Sequence, residues 1–348
     1  MIVQSSGMKL LPWLAVWLLV GAVGLQAADH AYDPLDVSGG PLPDGVDMTV
    51  HDSARNRDIP VRIYLPAQPA PAPVILFSPG LGGSREGSSY LGQHWSARGY
   101  AVVYLQHPGS DDSVWKNQPP EKIMEAMKSA ASLENFLLRV KDIPAVLNQL
   151  DRWNQQSGSA LLGRLDMGRI GMSGHSFGAI TTQAVSGESI GGQGPIFTDP
   201  RIKAALAFSP GTPKLEDPAT AFAPVRIPWM LMTGTKDVSP IGQADVASRL
   251  RVYPNLHGAA KYEVVLYNAE HSAFTDRALP GDVEPRNPNH HRVILALSTA
   301  FWDTYLRGDG EAAAWLTGSG SRSVMQAEDK WQFAAEPDKP PSLLPANP

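Results

Sequence analysis

Gly174-His175-Ser176-Phe177-Gly178 sets one serine between glycines two residues to either side. A serine so flanked suits a sharp strand-to-helix turn. Its own backbone is strained there, and the turn leaves no room for side chains at the two flanking positions. Such a turn lifts the hydroxyl above a sheet, where a histidine reaches it from one side and a substrate from the other. The run Arg169-Ile170-Gly171-Met172-Ser173 before the motif reads as the strand, and residues 179–185 after it read as the helix. Ser176 is therefore the candidate nucleophile.

A serine hydroxyl is weakly nucleophilic near neutral pH and needs a base, which in turn needs an orienting carboxylate. On a sheet carrying such an elbow the order along the chain is Ser, acid, His, each at the carboxyl end of a strand. The histidines after position 176 are His257, His271, His290 and His291. His271 directly follows the apolar strand of residues 262–267, where a base belongs. His257 precedes that strand and reads as a surface turn residue, while His290 and His291 open a helix and read as cap or surface groups. Asp237 ends the strand of residues 228–233 in Thr233-Gly234-Thr235-Lys236-Asp237 and is the candidate acid; a helix cap ahead of Ile241 is its other reading. The loop after residues 202–208, Ser209-Pro210-Gly211-Thr212-Pro213, offers no early carboxylate. An oxyanion hole needs two backbone N–H groups. Phe177 supplies one. The other is assigned to Leu81 in Gly80-Leu81-Gly82-Gly83, with Gly82 as the alternative.

These residues need a scaffold, and the apolar pattern predicts one. Short buried runs at 74–77, 101–105, 169–173, 202–208, 228–233 and 262–267 alternate with helical stretches near 87–98, 133–152 and 179–185, and a long helix near 290–306 follows. Strands alternating with helices predict an α/β fold with a mostly parallel, doubly wound sheet flanked by helices, residues 262–267 being its last strand. Two further strands precede the first buried run, at 48–51 and 59–65. Residues 29–46 read as an extended lead-in, 47–333 as a single domain, and the proline-rich residues 334–348 as a disordered tail.

The chain has 348 residues, a formal charge of −5 and no clustered Lys/Arg, which argues against nucleic acid as a partner. No Cys-x-x-Cys, His-x-x-x-His or Asp-rich loop supports a metal site, and no cofactor is expected. Residues 1–28 differ in kind: Lys9, an apolar run at 10–20, then small residues to Ala27-Ala28. This pattern predicts a secretory signal peptide, too short in its apolar run for a stable membrane span. The expected location is the periplasm or the medium, and the absence of cysteine agrees with a fold that needs no disulfide.

Several stretches together resemble a known superfamily. They are residues 52–64, Phe77-Ser78-Pro79-Gly80-Leu81-Gly82-Gly83, Gln106-His107-Pro108-Gly109-Ser110-Asp111, the Ser176 elbow, Gly234-Thr235-Lys236-Asp237 and Phe301-Trp302-Asp303-Thr304-Tyr305-Leu306. The chain resembles the α/β-hydrolases, and within them the platelet-activating-factor acetylhydrolase and dienelactone-hydrolase-like bacterial esterases, over roughly residues 47–306. Dienelactone hydrolases carry cysteine where this chain has serine. The resemblance implies the α/β-hydrolase fold and a secreted serine hydrolase cleaving carboxylic esters through an acyl-enzyme. A carboxylesterase or lipase-like enzyme of lipid degradation fits, with phospholipid acetyl esters among the substrates. A small-molecule or lipid ester is then the expected partner, with no protein partner implied. The alternatives are a catalytically silent binding protein on the same fold, or a thioesterase or peptidase with the same triad. Residues 110–132 are a predicted cap over the site, carrying Trp115, Met124 and Met127, with a surface helix packed on the core as the alternative. Trp115 and His175 are the expected substrate-pocket residues.

Overall fold

Among the described residues of the computed structural model (1–2, 31–37, 42–214, 216–242, 244–279 and 281–334), the apolar runs of the sequence become strands of one sheet. The strands are β1 (Val46–Asp52), β2 (Arg57–Tyr64), β3 (Ala72–Ser78), β4 (Ala101–Leu105), β5 (Leu165–His175), β6 (Ile202–Phe208), β7 (Trp229–Lys236), β8 (Lys261–Glu270) and β9 (Lys330–Ala334). Their order is β1-β2-β4-β3-β5-β6-β7-β8-β9. The six from β4 to β8 run parallel, while β1, β2 and β9 pair antiparallel at the margins. The chain is therefore α/β with a mostly parallel sheet.

β3 and β4 are buried at every position, as strands covered on both faces must be. Alternate residues feed different cores. Ile75, Phe77, Val102 and Tyr104 pack with α1 (Ser89–Ala97) and, further along the chain, with Val293, Leu297 and Phe301. Val74, Leu76, Ala101 and Val103 pack on the other face with Val140, Ile143 and Leu147. The helices completing the layers are α2 (Ser113–Lys116), α3 (Pro120–Ala130), α4 (Leu133–Gln155), α5 (Phe177–Val185), α6 (Pro218–Phe222), α7 (Val246–Leu250) and α8 (Pro288–Trp302). No helix among the described residues is long and apolar enough to cross a membrane.

The connection from β3 goes to β4 on one side, whereas β5 lies on the other side of β3. Parallel sheets bind ligands at such a reversal, which here lies above the carboxyl ends of β3 and β5.

The structure differs from the sequence reading in three places. The sheet does not end at β8: β9 pairs with it antiparallel, Trp331 opposite Val264 and Phe333 opposite Tyr262. Five residues beside a proline-rich tail carry too little periodicity to be read as a strand. Ala334, assigned to the tail, is the last residue of β9. His290 is no surface cap: it is buried, and its Nε2 donates to the Tyr267 carbonyl at 2.9 Å. The chain divides into two compact units, Met1–Ala31 and Tyr32–Pro348. The predicted signal peptide, beyond Met1 and Ile2, and the tail beyond residue 334 lie outside the described residues.

One buried acid makes the sheet pH-sensitive. Glu263 on β8 is 3% exposed and faces Gln332 of β9, whose amide donates to Oε2, while Oε1 has no partner among the described residues. Burial, only partly opposed by Gln332 and Lys261, raises its carboxyl from 4.5 to about 7. A raised folded-state value means stability that is present below about pH 4.5 and lost as pH rises through about 7. The loss is on the order of 3 kcal/mol. Glu263→Gln should flatten this slope and melt above the parent at pH 8; thermal unfolding at pH 5 and pH 8 tests it, and equal pH slopes for both proteins refute it.

Candidate active site

The elbow forms because two backbones must nearly touch. A Cβ at Gly178 would fall 1.8 Å from the Ser78 carbonyl oxygen, so only glycine lets the start of α5 pass over the end of β3. Ser176 takes φ 58°, ψ −115°, a conformation that L residues rarely hold and that surrounding structure must enforce. It is half-buried, with its hydroxyl at the carboxyl edge of the sheet.

A second close approach sets the acid and base side by side. A Cβ at Gly234 would lie 2.0 Å from the Ala269 carbonyl, and the β7–β8 register shifts between Gly234 and Lys236. The ends of the two strands therefore cross closely, delivering Asp237 and His271 to one point. His271 Nε2 lies 2.9 Å from Ser176 Oγ, and its Nδ1 lies 2.7 Å from Asp237 Oδ1. The three residues singled out in the sequence are thus within hydrogen-bond reach in the order that proton transfer requires. Asp237 is fully buried and caps no helix; Thr233 Oγ1 donates to its Oδ2 at 2.9 Å. Burial pushes its carboxyl up, but the His271 hydrogen bond and the charges of His271 and Arg249 outweigh this and hold it at about 2. It is an anion throughout the neutral range.

Arg249, on α7, is a partner that the sequence did not reveal. It is 2% exposed, with Nε 3.1 Å from Asp237 Oδ1 and 2.9 Å from the Asp237 carbonyl. Its Nη1 donates to the carbonyls of Ser209 and Pro210 at 2.8 and 3.0 Å. Nη2 also stands 3.2 Å from His271 Nδ1. With Nδ1–H given to Asp237, that contact joins two donors and is no hydrogen bond; the carboxylate and carbonyls hold the guanidinium. An arginine on a five-residue helix looks like an ordinary surface residue, so the sequence carried no signal for it.

The two predicted oxyanion donors are available. Phe177 opens α5, whose first-turn N–H groups have no intrahelical acceptor. Gly82, the alternative to Leu81, is engaged: its N–H donates to the Ser110 carbonyl at 2.9 Å. The Leu81 N–H has no acceptor among the described residues, which leaves it the better candidate.

The predicted pocket residues fare differently. Trp115 is half-buried on α2, and its Nε1 donates to the Gly82 carbonyl at 2.7 Å. Met127 of α3 packs on the same glycine, so the α2–α3 insertion rests directly on the loop that bears Leu81. His175 is buried rather than exposed to a pocket. Its Nε2 donates to the His271 carbonyl at 3.0 Å, and the two rings lie 4.6 Å apart. Burial, reinforced by His271 and Arg249, holds His175 well below the ordinary imidazole value, so it is a neutral brace behind His271.

A second Ser–His–Asp arrangement also went unread. Ser78 Oγ is 3.0 Å from His107 Nε2, whose Nδ1 is 2.9 Å from Asp142 Oδ2. Ser78, His107 and Asp142 are all fully buried, so no substrate reaches them. Burial beside Arg139 pushes His107 down to about 4, which makes it a poor base. Exposure and the strained turn single out Ser176.

No protein-family model matches this chain, and no curated protein matches it.

Proposed function

We propose that the protein is a serine carboxylic-ester hydrolase of the α/β-hydrolase type, working through an acyl-enzyme. One observation carries this reading: the unbroken relay from Ser176 Oγ through His271 to Asp237, at 2.9 and 2.7 Å, above the carboxyl ends of the parallel strands β5, β7 and β8. Ser176 Oγ attacks the ester carbonyl carbon while its proton passes to His271 Nε2. The carbonyl π electrons move to oxygen, and the N–H groups of Leu81 and Phe177 hold the resulting oxyanion. Its collapse expels the alkoxide, which takes the proton from Nε2 and leaves Ser176 acylated. Water then repeats the sequence: it gives a proton to Nε2, attacks the acyl carbon, and releases the carboxylic acid and free Ser176. Asp237 keeps Nδ1–H in place and stabilises the imidazolium at each stage.

The apolar side chains of Trp115 and Met127 beside the Leu81 loop favour an ester with an apolar acyl or alcohol part, lipid esters included. The leader read at residues 1–28 makes this an exported enzyme of the periplasm or the medium. No cofactor takes part in the proposed reaction, and nucleic acid and protein partners have no place in it.

A fluorophosphonate probe followed by peptide mass mapping tests the assignment. The adduct is expected on Ser176 and not on the buried Ser78. A folded protein that takes no adduct is a silent binding module instead. On a panel of p-nitrophenyl acetate, butyrate and octanoate with a matched thioester and a peptide anilide, oxygen esters should turn over fastest. Faster cleavage of the thioester or anilide reassigns the reaction.

A further inference from the structure

Arg139 of α4 is fully buried, yet no carboxylate stands within ion-pair distance of it among the described residues. The nearest acid on its helix, Asp142, is taken up by Arg55, Arg57 and His107. Every polar partner of Arg139 is a neutral oxygen. Nη2 donates to the Pro79 carbonyl and, at 3.1 Å, to Ser78 Oγ. Nη1 donates to Ser110 Oγ at 2.9 Å, and Nε to Thr181 Oγ1 at 3.1 Å. Burying a cation without a counter-ion is costly, and a fold that only needed packing here would use an apolar side chain.

These partners surround the two candidate oxyanion donors. Pro79 lies two residues before Leu81. Ser110, whose hydroxyl Arg139 holds, accepts the Gly82 N–H on the other side of Leu81. The peptide carrying the Leu81 N–H is thus tied down on both flanks. On the opposite arm, Thr181 donates to the Phe177 carbonyl at 3.0 Å, and the guanidinium carbon sits 4.6 Å from the centre of the Phe177 ring. Ser78 completes its own bonds by donating to His107, so the buried Ser78–His107–Asp142 relay anchors the same loop.

We propose that Arg139 is the positioning residue of the oxyanion hole: it fixes the Leu81 and Phe177 N–H groups relative to each other and sets a buried positive charge behind them. This rests on the ester-hydrolase reading above. Burial pulls its guanidinium down to about 9, against Asp142 and Asp111, which leaves it a cation at neutral pH. Preorganised donors and fixed charge act on the negative charge that develops on the carbonyl oxygen, so the effect belongs to the transition state and not to substrate binding.

The test separates geometry from mere folding by counting sites. Arg139→Met and Arg139→Lys are titrated with the fluorophosphonate, and kcat for p-nitrophenyl acetate is expressed per titrated site. KM and the inhibition constant of an alkyl boronic acid, which forms a tetrahedral anion on serine, are measured alongside. Arg139→Met should lose kcat per site by about 10²-fold and boronate affinity in step, with KM nearly constant. Arg139→Lys, which keeps the charge without the fork, should recover part of both. If Arg139→Met does not fold, Thr181→Val and Ser110→Ala each remove one bond of the fork and should cut kcat per site by roughly 3- to 10-fold with a parallel loss of boronate affinity. Unchanged kcat per site in folded variants, with only the titrated fraction or the melting temperature reduced, overturns the proposal. If the parent protein itself takes no Ser176 adduct, the hydrolase reading fails first and the role of Arg139 falls with it.

Discussion

Ser176→Ala should lower kcat toward p-nitrophenyl esters by about 10⁶-fold, the scale on which removing the nucleophile acts in serine hydrolases. The change deletes one oxygen and the 2.9 Å contact to His271 Nε2. Nothing else at the site can form the acyl bond: the other relay serine, Ser78, is fully buried and donates its proton to His107. Residual hydrolysis, of order 10³ over water, would come from the oxyanion donors and substrate positioning alone. The fold should not suffer. Alanine must still adopt φ 58° at position 176, but serine bears the same strain, so stability should stay within about 1 kcal/mol. Steady-state kinetics and thermal melting of the two proteins check both statements. Retention of even one part in a hundred of the activity would show that Ser176 is not the nucleophile.

Asp237→Asn should lower turnover by about 10⁴-fold, for a reason that geometry makes specific. The carboxylate accepts Nδ1–H and so leaves Nε2 bare to take the proton of Ser176. An asparagine that presents its amide to Nδ1 selects the opposite tautomer, with the proton on Nε2, and the base is lost. The neighbouring Arg249 adds a second consequence. Its Nε sits 3.1 Å from the same carboxylate oxygen, and neutralising Asp237 leaves the arginine buried with carbonyl oxygens only. Breaking a buried pair by removing one partner costs up to about 3–5 kcal/mol, here softened by the three carbonyls that remain. Asp237→Asn should therefore melt lower than the parent, and adding Arg249→Met should recover stability without recovering activity. A single variant that keeps a tenth of the parent turnover would remove Asp237 from the relay.

Much of this architecture was legible because it depends on local chemistry. Gly174-His175-Ser176-Phe177-Gly178 announces a turn that few other residues tolerate, and the strand before it and the helix after it follow from apolar spacing. Asp237 and His271 were found by their places just beyond two apolar runs, since side chains at the carboxyl ends of parallel strands face a common crevice. Leu81 was a choice between neighbours. The structure favours it over Gly82 only because Ser110, far along the chain, takes the Gly82 N–H.

What stayed hidden is long-range. Arg139, Arg249 and His107 look like ordinary polar residues on helices and in a loop, and nothing in their neighbours' types marks them as buried. Their roles arise from contacts across 60, 40 and 35 positions, to Pro79, Ser209 and Asp142. β9 was missed for a related reason: a short strand at a sheet edge is defined by its pairing with β8, not by its own five residues. His175 was an expected pocket residue, yet its side chain lies buried against His271. The sequence by itself determined which residues can do chemistry and the parallel-strand frame that carries them, because backbone strain and apolar periodicity are local properties. The tertiary structure alone decided which buried charges brace that chemistry, because a charge is tolerated in the interior only where distant segments converge to satisfy it.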